Sequence, residues 1–325
     1  MIALDHGTVA GRCGMFVSPR GVTPRLTRTQ HLRSPWCAGP GRLARTEKSR
    51  KGPVKASRPA RCGHTHVGQG NKPAGVQPMS NVSLPPRTAA VIPAAGRGLR
   101  LGPGAPKALR TLNGTPMLVH AVRAMAASNA VSLVVVVAPP DETAAVKSLL
   151  SDLVLPDRTE VAVVPGGANR QQSVRLGLDA LPEDIGIVLV HDAARPLVPV
   201  DTVDAVVEAV RDGASAVVPA LPLADTVKEV EPRPGGPEPV LSTPERARLR
   251  AVQTPQGFDR ETLIRAHGTV ADDGEGATDC AGLVERLGER VVVVPGHEEA
   301  FKVTRPLDLV LAEAVLARRR ANDGF

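Results

Sequence analysis

From Thr88 onward, short apolar runs alternate with longer amphipathic stretches. The runs AAVIP (89–93), SLVVVVA (132–138), EVAVV (160–164), GIVLV (186–190), SAVVPA (215–220), RAVQT (250–254) and RVVVVP (290–295) are rich in β-branched residues, and they predict strands. A helical period occupies 115–128, 140–151, 170–181, 201–211, 259–267, 278–287 and 305–318. Thr115-Pro116 and Thr304-Arg305-Pro306 carry cap and early-turn proline signals, and Asp201 and Asp259 read as N-caps. Runs apolar on both faces are those of strands covered on both sides. The βαβα order therefore predicts an α/β fold, a doubly wound, mostly parallel sheet that binds its ligand at the carboxyl ends of the strands.

One interval breaks the rhythm. Residues 221–249, LPLADTVKEVEPRPGGPEPVLSTPERARL, are too polar and too rich in Pro and Gly for a helix, but DTVKEV and PVLSTP flank a PRPGGPE turn as two short strands would. This predicts a projecting β-hairpin arm. An arm that cannot bury itself on its own body packs on a second subunit, so a homodimer is expected.

Charge separates the chain into two regions, a leader (1–84) and a body (85–325). Residues 1–80 hold 14 Lys/Arg against Asp5 and Glu47, while the rest is net acidic, so the overall charge of +7 belongs to the leader. The leader lacks periodicity, and its Cys13, Cys37 and Cys62 fit no zinc spacing, so it reads as disordered. It is either a plastid-type transit segment or sequence ahead of a natural initiator at Met79. Without interleaved aromatic residues its basic charge gives no reason to expect nucleic-acid binding. No apolar stretch approaches the roughly 18 residues of a membrane span, so a cytoplasmic body is expected. Cys280 is the only cysteine there, which excludes an intrachain disulfide within the body.

Three strand ends carry candidate chemistry. The first, PAAGRGLRLGPGAPK (93–107), is neither a Walker A loop, since Lys107 follows Pro106, nor G-x-G-x-x-G, since Leu101 stands where the third glycine belongs. It reads either as a plain loop or as a phosphate cradle in which Arg100 and Lys107 neutralise a polyphosphate. The second, PGGANRQQSVRLGL (165–178), reads by itself as a plain turn between strand and helix, or as a site where Gly166 and Gly167 admit a close ligand and Ser173 faces it. In VLVHDAARPLV (188–198), Asp192 follows a buried strand and is placed to meet a metal bound to phosphates. His191, beside it, reads as a packed residue.

Together PAAGRGLRLGPGAPK, GGANRQQSV, VHDAARP, TPQGF, ATDCAGLVE and FKVTRPLDL resemble, in order, the signature blocks of the 2-C-methyl-D-erythritol 4-phosphate cytidylyltransferase family. The resemblance runs from about Thr88 to the C-terminus. It implies a Rossmann-like nucleotidyltransferase that joins the CMP part of CTP to the phosphate of methylerythritol phosphate, releasing pyrophosphate, in the non-mevalonate isoprenoid route. The substrate phosphate is then the nucleophile, in keeping with the absence of a Ser-His-Asp or Cys-His set.

By motif match, the resemblance implies that Arg100 and Lys107 stabilise the transition state. Ala94, Ala95, Gly96, Gly98, Gly167, Ser173, Asp192 and Ala193 surround the nucleotide. Asp192 meets Mg²⁺, or another divalent cation, that accompanies CTP. Lys302 and Thr304 orient the substrate phosphate, and Thr226 and Arg246 of the arm reach the same phosphate in a partner subunit. Arg195, Thr254 and Thr278 divide evenly between ligand contact and structure, with Thr278 as an N-cap. Ala168 and Cys280 stand where the family has acidic residues. The alternatives are a ribitol 5-phosphate cytidylyltransferase and a catalytically silent nucleotide-binding protein.

Overall fold

A computed structural model describes residues 86–96, 106–269 and 279–323. The expectations for the leader, Gly98, Arg100 and Thr278 fall outside the described residues.

Strand β1 (Arg87–Pro93) leads to a 3-10 turn at Lys107–Leu109, a small hairpin of β2 (Thr111–Leu112) and β3 (Thr115–Pro116), and α1 (Met117–Ala127). There follow β4 (Val131–Ala138), α2 (Thr143–Ser151), β5 (Glu160–Pro165), α3 (Arg170–Asp179), β6 (Ile185–Val190), α4 (Val200–Arg211) and β7 (Ala216–Pro222). The second half holds β8 (Glu229–Val230), β9 (Val240–Ser242), β10 (Arg250–Val252), β11 (Gln256–Asp259), α5 (Arg260–Gly268), α6 (Cys280–Arg286), β12 (Val291–Pro295) and α7 (Pro306–Asp323).

Strands β5, β4, β1 and β6 lie side by side and parallel. Antiparallel β11 is inserted between β6 and β7, which returns β7 to the direction of β6, and β12 adds parallel to β7. Antiparallel β10 pairs with the far end of β7. The sheet is mixed, with the expected parallel centre. Strand β11 was hidden in the sequence because QGFD has no β-branched residue; burial of Phe258 and close contact of Gly257 with Val206 of α4 fix it in place. The β2–β3 hairpin had a legible signal in Asn113-Gly114, whose φ values of 48° and 79° suit a primed two-residue turn.

Successive residues of β1 serve opposite cores, as the two-residue strand period demands. Ala90 and Ile92 join Val134, Val136 and Leu189 under α1, α2 and α4; Ala89 and Val91 join Val135, Val137 and Val188 under α3, α5 and α6. Two covered faces make the doubly wound layer arrangement. The expectation of strands buried on both faces holds for β1, β4 and β6 but not for β5 and β12, which remain partly exposed.

Caps partly depart from expectation. Asp259 accepts the amide of Thr262 as predicted, whereas Asp201 lies inside the first turn of α4, whose N-cap is Pro199. Asp279 caps α6 by accepting the amide of Gly282. Thr304 donates its amide and hydroxyl to Asp308, closing the entry to α7.

Residues 221–249 include the antiparallel pair β8–β9, and none of these residues is buried in the chain.

Candidate active site

The carboxyl ends of β1, β5 and β6 open into a cleft of about 300 Å³. From β1 come Ala94, Ala95 and Gly96; from the turn after β5, Gly167, Ala168 and Asn169; and from the end of β6, Asp192 and Ala193. Lys107, Arg170, Ser173, Lys302 and Thr304 also line the cleft. The charged lining among the described residues is thus three cations around one carboxylate, an arrangement that favours a polyanion.

The glycine turn is close-packed. A Cβ on Gly166 would sit 2.7 Å from the Cβ of Ala95 and 3.0 Å from the carbonyl oxygen of Ala138, so the turn can approach β1 and β4 only as glycine. Ser173 accepts the amide of Gly167 at 3.1 Å and donates to the carbonyl of Asn169 at 2.8 Å. Its hydroxyl therefore shapes the turn as well as lining the cleft. Asn169 caps α3 by accepting the amide of Gln172 at 2.8 Å.

Asp192 is held from two sides. Lys302 Nζ approaches Oδ2 at 2.7 Å, and Arg170 donates from Nε and Nη2 to Oδ1 at 3.4 and 3.3 Å. Burial opposes ionisation, but Arg170 and Lys302 outweigh it and hold the carboxyl well below the usual carboxylate range.

Behind the cleft lies a run of buried polar residues, Gln253, Thr254 and Gln256, each serving a different loop. Gln253 pairs its side-chain amide with both backbone groups of His297, and Gln256 donates to Asp279 and accepts the amide of Ala281. Thr254 Oγ1 accepts the amide of Asp192 at 3.1 Å and lies 3.1 Å from His191 Nδ1. The other ring nitrogen, Nε2, is 3.1 Å from the carbonyl of Arg195, which can only accept, so Nε2 carries the proton and Thr254 donates to Nδ1. Burial lowers the His191 pKa to about 4, and the ring is neutral at pH 7. His191 is the packed, hydrogen-bonded residue that its position beside a core strand implies.

Arg195 does not line the cleft. Its guanidinium donates to the carbonyls of Ala300 at 2.7 Å and Val252 at 3.2 Å, bracing the loop that carries Lys302 against β10. Thr254 sits behind the cleft, and Thr226 and Arg246 lie exposed around the hairpin, where Arg246 donates to the carbonyl of Ala224. The structure thus brings together Ala94, Ala95, Gly96, Lys107, Gly167, Ser173, Asp192, Ala193, Lys302 and Thr304, and leaves Arg195, Thr226, Arg246 and Thr254 outside the cleft. Sequence reasoning missed Arg170, Asn169, Gln253 and Gln256. The cap pattern of Asn169 was legible before a helical period, whereas the contacts of the glutamines depend on the fold.

The sequence profile of the 2-C-methyl-D-erythritol 4-phosphate cytidylyltransferases matches residues 88–318. This chain belongs to that family. A cytidylyltransferase of this name from Streptomyces avermitilis is 81% identical over 241 residues, covering 74% of this chain and 95% of the relative. Its counterpart from Streptomyces coelicolor is 79% identical over 243 residues, covering 74% and 89%. Among solved structures, the cytidylyltransferase of Thermus thermophilus is similar with a TM-score of 0.54 at 35% identity, covering 70% of this chain and 97% of that one. The synthase of 4-diphosphocytidyl-2C-methyl-D-erythritol from Anaerococcus prevotii superposes with a TM-score of 0.61 at 26% identity, covering 71% and 99%. As a cytidylyltransferase, the chain is a nucleotidyl-transferring enzyme. No described helix is long and apolar enough to cross a membrane.

Proposed function

We propose that this chain transfers CMP from CTP to 2-C-methyl-D-erythritol 4-phosphate, giving 4-diphosphocytidyl-2-C-methyl-D-erythritol and pyrophosphate. The observation that carries this reading is the cleft at three strand ends, with Lys107, Arg170 and Lys302 around Asp192 and a glycine turn open to a nucleotide. A phosphate oxygen of the polyol substrate attacks the α-phosphorus of CTP. A new P–O–P bond forms as the bond to the β-phosphate breaks, and the electron pair leaves with pyrophosphate. The site needs no protein nucleophile. Its work is orientation and charge stabilisation.

In this reading Ala94, Ala95, Gly96, Gly167, Ser173 and Ala193 accommodate the nucleoside end, and Lys107 draws charge from the α-phosphoryl and pyrophosphate. Lys302 and Thr304 direct the polyol phosphate. Arg100, Gly98 and Thr278 keep their expected roles as transition-state, nucleotide and substrate contacts. Arg195 and Thr254 serve the substrate indirectly by holding the loops of Lys302 and Asp192.

A divalent cation fits this site in one form only. Among the described residues no group of three His, Cys, Asp or Glu could hold a resident metal. Asp192, the one carboxylate lining the cleft among the described residues, suits a Mg²⁺ that takes most of its ligands from the triphosphate. Such an ion would withdraw charge from the phosphates.

We further propose that the enzyme is a cytoplasmic homodimer in which the β8–β9 arm crosses to the partner and brings Thr226 and Arg246 to its polyol phosphate. The absence of any buried residue over 221–249 supports this, since such a hairpin gains its packing from a second chain. We assign residues 1–84 to a leader and residues 85–325 to the cytidylyltransferase domain. The relatives described above favour methylerythritol phosphate over ribitol phosphate, and the clustered cations speak against a silent site. Purified protein given CTP, Mg²⁺ and each polyol phosphate separately should release pyrophosphate with methylerythritol phosphate; turnover with ribitol phosphate alone would overturn the assignment.

A further inference from the structure

Arg170 belongs to no role assigned by sequence, yet it contacts the central carboxylate. It is the first residue of α3, directly after the Asn169 cap, and about a third of its side chain is exposed, toward the cleft it lines. Nε and Nη2 address Asp192 Oδ1, while Nη1 lies 3.6 Å from Sγ of Cys280 at the start of α6. Cys280 is buried, and burial pushes its thiol pKa up, so the sulfur is neutral and packs against the guanidinium without a second negative charge. Asp192 is thus the only carboxylate in ion-pair contact with Arg170 among the described residues, and the same carboxylate binds Lys302 through its other oxygen.

One anion is shared between two cations anchored on different elements. The forked, always-charged guanidinium is preset by α3 and by Cys280, whereas the ammonium of Lys302 is a point charge on a flexible stem and exchanges partners more readily. We propose that Arg170 is a positioning residue of this site: by holding Oδ1 of Asp192 it fixes the carboxylate and weakens its grip on Lys302, which stays available to the phosphate of the second substrate. The inference rests on the role of Lys302 given under Proposed function. It differs from direct nucleotide binding, in which Arg170 would act on CTP alone.

The test is steady-state kinetics of the full chain with Arg170→Gln and Arg170→Lys, together with calorimetric binding of CTP. The glutamine variant leaves Asp192 wholly to Lys302. KM for the polyol phosphate should rise about tenfold or more, while CTP affinity stays within about twofold. The lysine variant keeps the charge but loses the two-nitrogen grip, so its KM should lie between; if the glutamine variant does not fold, the lysine variant carries the test, and an unchanged KM counts against the proposal. In an Asp192→Asn background Arg170→Gln should have little further effect, because the carboxylate through which it acts is gone. Loss of CTP affinity with polyol KM unchanged would make Arg170 a direct nucleotide ligand and overturn the proposal, as would an undiminished effect in the Asp192→Asn background. A wild-type chain that turns over no polyol phosphate would instead overturn the functional reading.

Discussion

Lys302 Nζ and Asp192 Oδ2 stand 2.7 Å apart, joining the loop before α7 to the end of β6. The pair gathers the cation proposed to face the substrate and the one carboxylate lining the cleft among the described residues at a single point. It also makes Lys302 part of the resting electrostatics of the site. Replacing Lys302 with alanine, or Lys107 of the same cleft with alanine, should lower kcat/KM by a hundredfold or more, about 3 kcal/mol of transition-state stabilisation. Pyrophosphate release under saturating CTP checks this, and unchanged release would remove either lysine from the chemistry.

Thr254 links the amide of Asp192 to the buried ring of His191. Thr254→Val has nearly the same shape but strands a buried donor and a buried acceptor, which should cost about 1–3 kcal/mol each in stability or positioning. Thr254→Ser keeps the hydroxyl and should retain most activity. Urea unfolding and kcat/KM measured on both variants separate the two effects, and a valine variant equal to the serine one would show that the wiring is idle.

Acid should destabilise the fold before it neutralises Asp192. His191 and His267 are buried with pKa values lowered to about 4 by burial, so both are neutral in the folded state. The unfolded chain takes up these protons below about pH 6.5 and the folded chain does not until about pH 4, so stability falls across that window as pH drops. The slope is at most about 1.4 kcal/mol per pH unit for each ring. Asp192 acts in the same direction at lower pH: its depressed pKa adds stability that is present above the usual carboxylate range and is lost as pH falls below it. Urea titrations between pH 7 and 4 check the slope, and His267→Gln should reduce it by about half.

The proposed sharing of the site between two subunits is tested by mixing. A chain with Arg246→Ala mixed with one carrying Lys107→Ala should recover activity in heterodimers if each arm serves its neighbour, since one of the two sites then has both residues intact. Absence of recovery in a verified heterodimer would place Arg246 on its own subunit's site.

These residues also show what a linear sequence can and cannot disclose. The central strands were legible because β1, β4 and β6 are buried on both faces and therefore consist mainly of apolar residues. Strand β11 was not, because its place between β6 and β7 depends on Phe258 and Gly257 packing on elements remote in sequence. Lys107, Ser173, Asp192 and Lys302 could be found because chemistry-bearing residues follow strand ends or sit in familiar motifs. Arg170 was overlooked among the polar residues of a helix start, where its partners, Asp192 and Cys280, appear only after folding. Arg195 shows the reverse: a cation in a motif turned out to spend its guanidinium on two backbone carbonyls.

Phosphorus NMR of a reaction containing the purified chain, CTP, Mg²⁺ and methylerythritol phosphate tests the central claim most directly. The account predicts that the CTP and polyol phosphate signals fall together while pyrophosphate and a new two-phosphorus diphosphate diester rise in equal amounts, and that Lys107→Ala suppresses all of these changes. Inorganic phosphate without the diester, or an unaltered spectrum from a folded wild-type chain, would contradict it.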